Sequence, residues 1–76
     1  MNDLVVVEWL DTYATVGWET EILEPVTIYS CGWKIHEDDV KVVLAGMVGT
    51  ARQVDHNCQQ AIPRGCIKTI KVVQNE

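Results

Sequence analysis

The side chains of this chain with the most chemical reach are three cysteines, Cys31, Cys58 and Cys66, and two histidines, His36 and His56. A structural zinc site draws on closely paired ligands, such as two cysteines separated by two to four residues and a second such pair. Here the cysteines are widely spaced, and the one tight pairing is His56-x-Cys58. Residues two apart on a strand share a face, so that pairing supplies half a site. The reading is therefore that the three cysteines are small apolar core residues, that His56 belongs to a loop, and that no metal is bound. Nucleophilic catalysis needs a thiol or hydroxyl beside a base that a third group orients, and no strand–turn–helix nucleophile elbow is present. The carboxylates that stand close in sequence, Glu37-Asp38-Asp39 and Glu19-x-Glu21, read as solvated turns. A small domain has little interior in which to desolvate them and raise their pKa. The expectation is a protein that is not an enzyme and uses no cofactor.

Binding chemistry is better represented. Three tryptophans and two tyrosines stand with no phenylalanine. Tryptophan joins a large apolar surface to one N–H donor, which suits half-buried sites and interfaces. Tyr13 and Trp18 fall in or beside a long polar segment, and Tyr29 and Trp33 share one face of a strand. Gly46-Met47-Val48-Gly49-Thr50-Ala51-Arg52 ends in a loop with a hydroxyl and a guanidinium; an ordinary hairpin end explains it more simply than an anion cradle. The candidate ligand-binding residues are Trp18, Tyr13 and Trp33 as stacking surfaces, with Arg52, Arg64 and Lys68 as cations for a nucleotide-like ligand. Trp9 and Trp33 equally suit the core or a subunit contact.

Charge limits the partners. The 76 residues carry six basic and eleven acidic side chains, for a net charge of −5. All six acids of residues 1–33 precede the first lysine, and all six bases lie in residues 34–76. Affinity for bulk nucleic acid comes mainly from clustered Lys and Arg on phosphates, so such binding is disfavoured. The N-terminus is acidic and its apolar run ends at Val7, which argues against a secretory signal. No stretch approaches the ~20 apolar residues of a membrane span. An odd number of cysteines without a signal suggests free thiols in a reducing compartment, so a cytoplasmic location is expected.

Alternating and β-branched segments must position these residues. Leu4–Leu10 reads as a first strand and Asp11–Pro25 as a long loop with, at most, one helical turn that Pro25 stops. Val26–His36 is a second strand, with Tyr29, Cys31, Trp33 and Ile35 on one face and Gly32 marking a bend. Glu37–Asp39 is a tight turn, Val40–Val48 a third strand, and Gly49–Asn57 a polar loop. Cys58–Ile62 forms a fourth strand, which Pro63-Arg64-Gly65 breaks, and Cys66–Val73 a fifth. With 47% hydrophobic residues, the chain reads as one all-β domain over residues 1–76, with an ordered core about 3–73. A small five-stranded SH3-like barrel with a 3₁₀ turn before the last strand is the first expectation; an OB-like barrel or an open meander are the alternatives.

Glu8-Trp9-Leu10-Asp11, Gly17-Trp18, Ser30-Cys31-Gly32-Trp33 with Glu37-Asp38-Asp39, and Ile62-Pro63-Arg64-Gly65-Cys66-Ile67 occur in one order along nearly the whole chain. Together they resemble a group of small bacteriophage-encoded SH3-like barrel proteins, mostly of unassigned function, with a W-x-D … I-P-x-G-x-I pattern. The resemblance implies a viral origin and a role in the host cytoplasm. It implies an accessory protein that antagonises host machinery or defence, by binding a host protein or by sequestering a small nucleotide signal. A protein–protein interaction module, or a structural or assembly protein of the virion, are the competing readings. Val5, Val42, Leu44, Ile62, Ile67, Ile70 and Val72 are the expected core. Strands two and three are apolar on both faces, which points to a second copy covering one of them and hence to a homo-oligomer. If the thiols are free, titration with a thiol reagent in denaturant without reductant should find three per chain; one would contradict the reading.

Overall fold

The structure is a computed structural model that describes residues 3–12, 22–49 and 56–74. Among these are five strands, β1 (Leu4–Asp11), β2 (Val26–Glu37), β3 (Lys41–Val48), β4 (His56–Pro63) and β5 (Ile67–Gln74), and one 3₁₀ turn, Arg64–Cys66. All pairings are antiparallel, and the strands form one sheet in the order β4-β3-β2-β1-β5. Each strand pairs with its successor until β4. There the 3₁₀ turn carries the chain across, and β5 pairs with β1 instead. This is the layout of a small five-stranded SH3-like barrel, as expected from the sequence.

β2 is the longest strand and is shared between two partners. Val26–Trp33 pairs with β1, and Trp33–Glu37 pairs with β3, with a register shift between Lys34 and His36. Gly32, buried, stands at the changeover. A Cβ there would lie 3.0 Å from the carbonyl oxygen of Ala45 and 3.2 Å from Leu44 Cβ. β3 therefore approaches β2 so closely that a Cβ at this position would need its neighbours to give by a few tenths of an ångström.

The curl this allows brings non-adjacent strands together. Val5 and Val7 of β1, Val42 and Leu44 of β3 and Ile62 of β4 form one buried cluster, with Trp9, Ile67 and Ile70 packed against it. Trp9 spends its polar atom well: Nε1 donates to Ser30 Oγ at 3.0 Å. Six of the seven expected core residues are in or against this cluster. Val72 is not, being 45% exposed. β5 is an edge strand, and Val72 lies beyond Ile70, next to a register shift between Leu4 and Val5, where no further strand covers it.

Other expectations are corrected by strand parity. Cys31 alternates with inward-facing Ser30 and Gly32, so it is exposed and not a core residue. Cys58 is exposed as well, and its backbone is left-handed, with φ of 57°. β4 begins at His56, inside the segment read as a polar loop, because Val48 and Met47 of β3 continue the ladder to His56 and Asn57. β3 is indeed apolar on two faces, but Val43 and Ala45 are already buried within the one chain, so on β3 the argument for a second copy keeps only exposed Met47.

The packing gives a graded set of stability effects. Ile62→Ala or Leu44→Ala should cost about 2–5 kcal/mol in urea unfolding, and Gly32→Ala about 1–3 kcal/mol through overpacking against backbone. Val72→Ala should change stability by less than about 1 kcal/mol. Equal losses at Val72 and Leu44 would contradict the assigned core.

Candidate functional site

Three groups of polar or accessible side chains result from this fold. The first is at the tip of the β2–β3 hairpin. Asp side chains close turns by accepting from backbone amides, and Asp38 Oδ1 accepts from Val40 N and Lys41 N, each at 2.8 Å. Its Oδ2 lies 2.7 Å from His36 Nε2 and 3.3 Å from Lys41 Nζ. Beside it, Glu37 Oε1 accepts from Lys34 Nζ at 2.8 Å, and Glu37 Oε2 accepts from the Arg64 guanidinium. Arg64 also donates its backbone N–H to Val40 O at 2.8 Å. These contacts hold both carboxyls below their ordinary range. The His36 hydrogen bond is the largest cause for Asp38, followed by the two backbone amides. For Glu37 the Lys34 hydrogen bond comes first, then Arg64.

The second group lies on the outer face of the sheet, centred on Glu8 of β1. Between Glu8 and Trp9 the register with β5 shifts, leaving Lys68 as an extra residue. A bulge of this kind sets two residues of one strand against one of its partner. Glu8 is thereby reached by Thr69 Oγ1 at 3.2 Å and Lys68 Nζ at 3.6 Å, while Tyr29 OH donates from β2 at 3.4 Å.

The third is a groove of about 420 Å³ between the end of β1, the residues leading into β2, and the 3₁₀ turn. Leu10, Leu23, Pro25, Gly65 and Cys66 give it apolar walls, Thr12 adds one hydroxyl, and Asp11 and Glu24 are its charged residues. No cation lines it. Asp11 Oδ1 accepts only from the neighbouring Thr12 N, at 2.8 Å, among the described residues. A Cβ at Gly65 would meet no described atom within 4 Å.

The candidate residues from the sequence are dispersed. Arg64 belongs to the hairpin tip through Glu37, and Lys68 to the outer face through Glu8. Trp33 is half-buried on a rung with Leu4 and Ala45, at the opposite end of β1 from the groove. No hydrogen bond or ion pair joins these three. Tyr13, Trp18 and Arg52 lie outside the described residues. The groove was not foreseen. Its residues come from three separated stretches, and only the breaks at Pro25 and Pro63-Arg64-Gly65 marked their neighbourhood in the sequence.

Among the described residues no His, Cys, Asp and Glu side chains gather as a set of three or more able to hold a metal ion. No described helix is long and apolar enough to cross a membrane. Comparison with protein-family models, with curated proteins and with solved structures finds no match to this chain.

The hairpin carboxyls make an acid-sensitivity prediction. Because both titrate lower in the fold than in the unfolded chain, their stabilisation is complete above the unfolded carboxylate range, near about pH 4. It is lost as the pH falls from there through the folded values. Both groups are solvent-exposed enough for screening to keep the effect modest. Asp38→Asn retains an oxygen for the two amides but no charge for His36 and Lys41. Its Tm should therefore drop less than that of the unaltered chain between about pH 7 and about pH 3; equal drops would refute the assignment.

Proposed function

We propose that this chain is a non-catalytic binding module whose groove takes an extended apolar segment of a protein partner, flanked by a basic residue. The observation that carries this reading is the groove's lining among the described residues: leucines, proline, glycine and cysteine with two carboxylates and no cation. Apolar walls with a few placed polar groups are the usual make-up of a binding site. The carboxylates favour a partner with Lys or Arg, both by attraction and by steering the encounter. The acidic balance of the whole chain, −5, acts in the same direction.

The small-nucleotide reading draws less support. Of its cations, Arg64 and Lys68 are each engaged by a carboxylate of the same chain, and neither lines the groove. With the resemblance to small phage proteins, the partner is a host protein and the effect of binding is to occupy a surface that the host uses. A single groove of this size engages a partner weakly or transiently unless other contacts add to it.

Selection from a random peptide library tests the reading directly. Recovered sequences should combine apolar residues with Lys or Arg, and a synthetic peptide of that composition should bind less tightly as salt is raised. Gly65→Leu should fold normally, since a Cβ there meets open space, and should abolish binding by placing the rest of the side chain in the groove. Glu24→Lys should weaken it by about two- to fivefold, the range of an exposed ion pair. Recovery of acidic peptides, or binding that Gly65→Leu leaves intact, would overturn the proposal. So would a nucleotide that raises the Tm where no peptide does.

A further inference from the structure

The 3₁₀ turn has two attachments that face different parts of the molecule. On one side Gly65 and Cys66 form a wall of the groove. On the other, Arg64 is fastened to the β2–β3 hairpin, by its amide to Val40 O at 2.8 Å and by its guanidinium to Glu37. Glu37 is itself steadied by Lys34, through its other oxygen, at 2.8 Å. The turn between these attachments is three residues long. Pro63 precedes it with φ of −59°, and the Ile67 N–H closes it on the Arg64 carbonyl. Pro restricts φ, and one short hydrogen-bonded turn has little slack to absorb a shift at either end.

We propose that Glu37 and Arg64 are positioning residues for the groove: their ion pair holds the 3₁₀ wall from behind and so sets how closely Gly65 and Cys66 approach Leu10 and Leu23. This rests on the groove being the binding site, but it concerns the geometry of the wall and can be read without a ligand. Removing the ion pair leaves the hairpin side of the turn held by one backbone hydrogen bond. The wall then moves more freely, while β1, β3 and β4, which carry the buried cluster, are untouched.

Cys66 reports on the wall because it is half-buried and lines the groove. In a Cys31→Ser, Cys58→Ser background it is the sole thiol, and its reaction with a neutral reagent such as iodoacetamide is followed at neutral pH. Glu37→Gln and Arg64→Gln should each accelerate the reaction several-fold, and the double variant should match the singles, because both substitutions break one interaction. Charge acting directly on the thiol would instead drive the two single variants in opposite directions, since one removes an anion and the other a cation. Arg64→Lys, which keeps the charge but not the fork geometry, should fall between. A second background with Cys58 as the sole thiol should react at an unchanged rate in every variant. An unaltered Cys66 rate in Glu37→Gln, opposite shifts in the two singles, or a parallel rise at Cys58 would each overturn the proposal. Because no peptide is used, such a failure leaves the binding reading standing. Loss of peptide binding would equally leave these rates interpretable.

Discussion

The close passage of β3 across Gly32 is the constraint on which this fold depends. β2 serves β1 with its first part and β3 with its last, and at Gly32 a Cβ would stand only 3.0 Å from the Ala45 carbonyl oxygen. Val42 and Leu44 pack with Val5 and Val7 in one cluster, although β1 and β3 are not neighbours in the sheet. Ile62 completes the cluster from β4. The interior consists of small and medium aliphatic side chains, and the larger Trp9 closes its margin with its N–H satisfied by Ser30.

Charge is arranged around this interior in local pairs. Glu8, Glu37 and Asp38 each collect hydrogen-bond donors from more than one element or from adjacent turn amides. Exposed pairs of this type add little stability individually. Their effect here is geometric: they tie a hairpin tip to a 3₁₀ turn, and a bulged edge strand to its neighbour. Asp11 and Glu24 are different, having no cation partner among the described residues, and they border the groove.

Much of the fold was legible because short strands of β-branched residues, separated by Pro, Gly and Asp, leave few alternatives. Alternation along Val26–Trp33 puts Tyr29, Cys31 and Trp33 on one face, and Gly32 falls where β2 passes from one partner to the other. The reading went astray where a residue's fate depends on what lies across from it. Cys31 and Cys58 look like core residues by type, yet parity and a left-handed backbone place them outside. Val72 has the right type and phase but sits on an edge. The groove was illegible for the same reason: Leu10, Leu23 and Gly65 are brought together by the β1–β5 pairing and the turn before it, and no periodicity in the chain announces that meeting. Arg64 and Lys68 carry the charge an anionic ligand needs, but each faces a carboxylate of the same chain.

The rungs between β1 and β5 join residues 4–9 to residues 67–74. These are contacts between segments separated by nearly the whole chain, and closing so large a loop costs entropy before any contact repays it. The β2–β3 and β3–β4 hairpins can form locally, whereas β1 acquires its second neighbour only after β5 has arrived. Ile67 and Ile70, which seal the cluster beside Trp9, come with it. The docking of the final strand is then the pairing that closes the largest loop and carries the largest closure cost. Without it, one edge of β1 would present unpaired backbone groups and valines, the kind of edge on which extended chains associate, and β5 is what covers it.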